Sequence, residues 1–311
     1  MLTRKTVILA KVETTYGTDS TPTPSANAIL VKNVGVRPIG ESVERDFYRA
    51  SLSPLEFVRG MKEYELTFET ELKGTGSAGA VPSWGWEGEL LRACGMDETI
   101  QASVDIVYGP VSASFESVTI YVYKDGLFHK LLGCRGTFTI NFPSVGQYAT
   151  VRWTFRGMYA TPTDASPGAQ TFSSIKPPVF LSAGITIASY SPVATRMEIA
   201  MNNEIGRRTD ANYSEGIKEF TITNRRPGGS FDPESVTEAT HPFWADWAAA
   251  NAKALNVGPL GSTAGNKITI TAPKLQLDEI SYGDREGTAT YEIPFRLAQD
   301  SGDDELEIKF E

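Results

Sequence analysis

Over many short stretches the chain alternates apolar and polar residues, and these stretches are rich in β-branched and aromatic side chains and bounded by Gly, Pro, Asn and Ser. Side chains on an extended strand point to opposite faces in turn, so this two-residue period predicts a mainly β protein whose sheets bury one face. Strands are predicted over 64–72, 117–124, 136–142, 148–155, 218–224, 267–271, 274–280 and 288–296. Asp125 and Gly126 in YKDGLFH supply the positive-φ pair of a tight hairpin. Two segments carry a helical period instead. In SWGWEGELLRACG, Ser83 caps, Leu90, Leu91 and Cys94 form the apolar stripe, and Gly95 ends the run. In THPFWADWAAANAKAL, Thr240 caps, Pro242 sits in the first turn, and Phe243, Trp244 and Trp247 fall at helical spacing. These tryptophans read as core rather than as a stacking platform.

The two halves of the chain repeat one order of elements: an arginine-containing loop, a strand, a helix, then a run of strands. The last segments match at an offset of about 140 residues, with Phe155 and Phe295 in equivalent places. The order predicts a duplicated β domain. The first copy takes residues 1–160 with an N-terminal arm, 161–178 is a linker rich in Pro, Ser, Thr and Gly, and the second copy takes 179–311 with a C-terminal arm.

A length of 311 residues accommodates two such domains. The formal charge of −9 argues against a protein that grips nucleic acid or anionic lipid, since both demand a positive footprint; contact with DNA without affinity for it stays open. TVILA is broken by Lys11 and Glu13, and no stretch is long enough to span a bilayer, so a soluble chain made in the cytoplasm, with no membrane partner, is expected. Cys94 and Cys134 lack a partner motif and read as reduced thiols. With only His129 and His241 present, a multi-histidine zinc site is excluded and a triad would have to use one of these two. There is no GxSxG, Walker or HExxH motif, and no carboxylate pair stands out from the many present. GTGSAG at 74–79 matches GxGxxG, but Pro82 and further loop residues separate it from the helix, so a surface loop is expected. DSGDDELE at 300–307 lacks the spacing of a calcium loop and reads as a solvated acidic arm. NYS at 212–214 is a glycosylation sequon only in a secreted chain. No catalytic, cofactor-binding or metal-binding residue is predicted, and no enzyme.

One strand raises a question of purpose. KEYELTFETEL, residues 62–72, puts Tyr64, Leu66, Phe68, Thr70 and Leu72 on one face and Glu63, Glu65, Thr67, Glu69 and Glu71 on the other. Like charges at this spacing repel, so the acidic face is either an ordinary solvated surface or one with a use.

The segment LAKVETTYGTDSTPTPSANAILVKNV at 9–34, with ELLRACGM, SVTIYVYKDGLFHKLLGCRGT and TAGNKITITAPKLQL, resembles the tail tube (major tail) proteins of long-tailed, non-contractile bacteriophages over nearly the whole chain. The resemblance implies a non-enzymatic virion subunit: a β-sandwich or barrel domain with a flanking helix, stacked in rings around a DNA-conducting channel with a continuous inner β-barrel. It implies as partners further copies of the chain, a tape-measure protein and other tail proteins, and genomic DNA in transit without specific binding. In that setting Glu63, Glu65, Thr67, Glu69 and Glu71 would line the channel and repel phosphate, with Arg152, Thr154, Glu219, Thr221, Thr290 and Glu292 from other strands. Ring stacking would use flexible arms: residues 1–27, the tail from Asp300, and the loop 44–61 with Glu44, Arg45, Asp46, Phe47, Tyr48, Arg49 and Arg59. If six tube domains close a ring, a chain carrying two closes with three copies; six chains with the second half outside is the alternative. A second functional class is a two-domain β-sandwich binding module, an adhesin or carbohydrate-binding protein, with Trp84, Trp86, Trp244 and Trp247 on an exposed platform.

Overall fold

The computed structural model describes residues 2–79 and 86–311. The first half of the chain contains β1 (Thr6–Val12), α1 (Pro24–Asn27), β2 (Ala28–Ile29), β3 (Lys32–Val43), β4 (Val58–Glu71), α2 (Trp86–Ala93), β5 (Met96–Gln101), β6 (Asp105–Pro110), β7 (Val118–Lys124), β8 (Leu127–Phe142) and β9 (Thr150–Tyr159). Between the halves lie the two-residue strands β10 (Thr163–Asp164) and β11 (Thr186–Ile187). The second half contains β12 (Met197–Ala200), β13 (Asn203–Thr209), β14 (Ile217–Arg225), β15 (Gly228–Phe231), α3 (Phe243–Ala248), β16 (Lys253–Leu260), β17 (Ile268–Leu277), β18 (Ser281–Arg285), β19 (Thr288–Ala298) and β20 (Glu307–Phe310). The protein is mainly β, as the alternation predicts.

The halves pair their strands in the same order, antiparallel throughout. In the first it is β7·β8·β9·β4·β3; in the second it is β16·β17·β19·β15·β12. The registers agree as well. Leu131 and Cys134 face Ile120 and Val118, while Ala272 and Leu275 face Leu255 and Lys253, with the same irregularity between them. Gly136 faces Phe155 as Leu277 faces Phe295, and Phe68 faces Trp153 as Phe231 faces Ile293. The halves are joined in the plane of the sheet: one edge of β8 takes β12, with Ile140 opposite Ile199. A hydrophobic core shared by both halves runs beneath, with Phe68, Trp153 and Phe155 from the first half and Ile199, Phe231, Phe243 and Phe295 from the second, and a smaller cluster of Leu9, Ala28 and Tyr121 lies apart from it.

Several sequence expectations change. The strands expected at 267–271 and 274–280 are one, β17, which turns from β20 to β19 at Pro273, a residue unable to donate to a ladder. The second helix stops at Ala248, and the residues expected to continue it enter β16 because the free edge of β17 claims them. Asn251 closes the helix end, its N–H donating to Asp246 O (2.9 Å) and its Nδ2 to Asp246 Oδ1 (2.8 Å). Thr240 does not cap it: the Glu238 carboxylate accepts the N–H groups of Trp244 (3.1 Å) and Ala245 (3.3 Å). Ser83, the expected cap of α2, lies outside the described residues.

Neither terminal segment is an arm. β1 lies in the sheet against β7 with Ile8, Leu9 and Ala10 fully buried. β20 bridges β17 of the second half to β6 of the first and buries Leu306, Ile308 and Phe310. The acidic run before it forms a turn in which Asp304 accepts the N–H groups of Asp300 and Ser301. Asp125 and Gly126 form the expected hairpin turn at positive φ (43° and 102°). Gly74 of GTGSAG packs against the 265–266 turn; a Cβ there would meet Gly265 O at 2.2 Å, so the glycine serves a close backbone approach.

Candidate functional site: a polar sheet face and a projecting loop

Above the core, the strands β3, β4, β9, β8, β12, β15 and β19 form a continuous sequence of neighbours whose other face is polar. On β4, Tyr64, Leu66 and Phe68 point into the core as their alternation requires, which leaves Glu65, Thr67 and Glu69 on the polar side. On β9, Val151, Trp153 and Phe155 are buried, and Arg152, Thr154 and Arg156 take the polar side. β4 and β9 are in register, so Glu65 faces Arg156, Thr67 faces Thr154 and Glu69 faces Arg152.

The acidic strand is therefore embedded among cations. Arg37 Nη2 donates to Glu65 Oε1 (2.7 Å), Lys32 Nζ lies 3.3 Å from Glu69 Oε2, and Lys73 Nζ donates to Glu71 Oε2 (2.8 Å). Further along the sheet Arg196 pairs with Glu292, and Arg296 with Asp278 (2.7 Å). The face is a mixed-charge lattice, not the nearly uniform acidic surface that β4 suggests in isolation. Sequence reading missed Arg37, Lys32 and Arg196 as members of it; the signal was the place of Arg37 and Lys32 on β3 and of Arg196 immediately before β12, legible only once strand partners are known.

Other expected lining residues are placed differently. Glu63 is 3 % exposed, because the β13–β14 hairpin lies across it: its carboxylate is 3.7 Å from Arg207 Nη1 and 4.0 Å from Arg156 Nη1. Thr290 is also 3 % exposed, flanked by Gly283 and bridged to Glu234. Glu219 and Thr221 belong to the separate two-stranded sheet β13·β14. There Glu219 contacts Arg208 (2.6 Å) and Arg135 (3.9 Å).

β3 and β4 continue past Glu63 as a hairpin whose tip, residues 44–57, carries the expected contact residues Glu44, Arg45, Asp46, Phe47, Tyr48 and Arg49, all exposed. Phe47 is 71 % exposed, and Tyr48 and Leu52 are wholly so. Internal bonds keep the tip in shape. Arg49 Nη2 donates to Ser53 O (2.6 Å), and Arg59 donates to Gly40 O (3.0 Å) with its guanidinium 4.9 Å from the Phe57 ring centroid. Large apolar side chains thus gather in solvent on a shaped projection, an arrangement uncommon on a surface that contacts only water.

The remaining candidates occupy packing positions. Cys94 and Cys134 are buried free thiols, held above the usual thiol range by desolvation. His129 Nδ1 is 3.2 Å from Tyr64 Oη, and His241 stacks on Tyr190 at 4.3 Å; burial lowers both imidazoles. Trp244 Nε1 donates to Tyr291 Oη (3.2 Å), whereas Trp247 is 43 % exposed and not in the core. Trp84 and the Trp86 side chain lie outside the described residues. No helix among the described residues is long and apolar enough to cross a membrane, and no group of three or more His, Cys, Asp or Glu among them is arranged to hold a metal ion.

Compared with known proteins, the chain matches the family described as phage tail tube protein over residues 3–304. No curated protein matches it.

Proposed function

This chain belongs to the phage tail tube protein family, and from that premise we propose that it is the repeating subunit of a ring-stacked tube through which the phage genome passes. The chain is a structural component of the virion tail; in this reading its synthesis takes place in the host cytoplasm, and it acts as no enzyme. The observation that carries the channel role is the sheet from β3 to β19, one face sealed on the core and the other a polar lattice in which Glu65, Glu69 and Glu292 are paired with Arg37, Lys32 and Arg196. A wall of this kind suits a polyanion in motion. Paired cations release few counterions to a passing phosphate, and the carboxylates among them oppose close approach.

The repeated pairing order supports a duplicated tube domain in each chain, split as 1–160 and 179–311 around the 161–178 linker. With two domains per chain, three chains supply six in a ring. The exposed tip 44–57 then fits the stacking contact between rings, and the tape-measure and other tail proteins are the remaining partners.

The channel assignment is tested with Glu65→Lys/Glu69→Lys. These changes remove the carboxylates that pair with Arg37 and Lys32, put lysines beside Arg156 and Arg152, and convert the lattice into a phosphate-binding surface. Tubes form, while virions eject DNA slowly or incompletely at low salt, and the defect fades as salt rises. Tubes of normal form that eject at the wild-type rate at low salt would place this face outside the channel.

A further inference from the structure

Among the described residues, two open strand edges, those of β3 and β18, have counterparts in the chain's own internal junction, which shows what closes them. Among the described residues β3 pairs as a strand only with β4, and β18 only with β19. By the registers above, β18 is the second-half counterpart of the outer end of β8. Thr139, Ile140 and Asn141 face Arg152, Val151 and Thr150, as Ser281, Tyr282 and Gly283 face Glu292, Tyr291 and Thr290. Likewise Val36 on β3 faces Leu66 as Ile199 on β12 faces Gly229, and Leu66 and Gly229 face the equivalent Phe155 and Phe295. The outer end of β8 is covered by β12. Among the described residues no strand covers the outer edges of their counterparts.

We propose that β18 of one copy pairs antiparallel with β3 of a second copy, repeating between chains the β8·β12 junction within the chain, with Tyr282 opposite Val36 and Ser281 opposite Arg37. The inference rests on the ring reading and specifies which edges join and in what register.

Burial supports it. Ile140 and Ile199 are 1 % and 0 % exposed, whereas Tyr282 in the place of Ile140 is 69 % exposed and Val36 in the place of Ile199 is only partly buried. The junction also has a defined end. Within the chain it continues as Met201 N–H donates to Phe138 O (3.0 Å). Pro38 stands in the place of Met201 and has no N–H, and residues 278–280 opposite it are not strand, so the intermolecular ladder stops at Arg37. A proline one step beyond a short open edge also limits pairing with the wrong strand. Joining β18 to β3 at every junction carries the polar face unbroken from one chain to the next.

The Met201 to Phe138 bond makes Ala200–Thr139 a non-hydrogen-bonded opposed pair, with Cα atoms about 4.5 Å apart. Arg37 and Ser281 take the corresponding places, and this spacing admits a disulfide. Arg37→Cys/Ser281→Cys is assembled, oxidised mildly and run on a non-reducing gel; Cys94 and Cys134 are buried and do not react. Dimers and trimers of the chain are expected, and nothing larger if three chains close the ring. The control Arg37→Cys/Arg285→Cys is displaced four residues, about 13 Å, and does not link. In the unmodified protein, the backbone amides of Val36 and Tyr282 are expected to exchange hydrogen about tenfold or more slowly in rings than in free chains. Rings that neither cross-link at 37/281 nor protect these amides overturn this junction and leave the ring reading standing. Failure to assemble at any concentration, with no cross-link, overturns both.

Discussion

Glu63 Oε2 on β4 lies 3.7 Å from Arg207 Nη1 on β13, an ion pair between the two halves of the chain that leaves the glutamate 3 % exposed. Arg156 adds a second cation at 4.0 Å. Glu63→Lys places a third positive charge in that pocket. Breaking a buried pair costs about 3–5 kcal/mol, an upper bound here because both arginines are about a third exposed and solvent screens them. We expect Glu63→Lys to lose roughly 2 kcal/mol and Glu63→Gln about 1 kcal/mol in denaturant unfolding. An unchanged midpoint for Glu63→Lys would mean that the hairpin does not lie on β4.

The tip 44–57 separates assembly from folding. Phe47, Tyr48 and Leu52 make little contact within the chain, so Phe47→Ser/Tyr48→Ser/Leu52→Ser changes stability by only about 0.5 kcal/mol. Tubes become short or absent under electron microscopy. Long tubes from the triple variant would assign stacking to another surface.

At the C-terminus the expectation is the reverse. Phe310 is 6 % exposed and packs edge-to-face against Tyr108 at 5.9 Å, so Phe310→Ala costs about 3 kcal/mol. Removing residues 306–311 deletes three buried apolar side chains and the β6·β20·β17 bridge, a loss comparable with the total stability of a domain. The truncated chain is expected to be insoluble or unfolded by circular dichroism. A well-folded truncation that merely fails to stack would restore the terminal-arm reading.

Glu89 on α2 gives stability a pH dependence. Burial is the largest cause raising its carboxyl to about 7, opposed by a hydrogen bond to the Val12 backbone and by Arg92 and Lys11. The folded state thus holds this proton more tightly than the unfolded chain, whose value is near 4.5. The contribution is fully present below about pH 4.5 and is lost as pH rises through about 7. Glu89→Gln keeps the neutral form at all pH values. It should match the wild type near pH 4.5 and exceed it by roughly 1–3 kcal/mol at pH 8. Equal stability of the two proteins across that range would show that Glu89 ionises freely.

Alternation was enough to identify the mainly β class, the core faces of β4, β9 and β19, and the Asp125-Gly126 turn, because side-chain direction on a strand and positive φ in a turn are local properties. Strand phase was likewise visible along the chain. Pairing partners were not, since they are chosen across long separations. Phe310 faces Ile106 about 200 residues away, which turns an apparent acidic arm into a buried strand. β16 leaves a helical pattern because the edge of β17 is available to it. The same physics decides the charged face. Glu63, Glu65, Glu69 and Glu71 share one phase of one strand in the sequence, but only the neighbouring strands determine that Glu65 meets Arg37 and Glu69 meets Lys32 in partial solvent, while Glu63 is buried under Arg207. An electrostatic environment depends on everything within a few ångströms, and strand phase specifies only the direction in which each side chain looks.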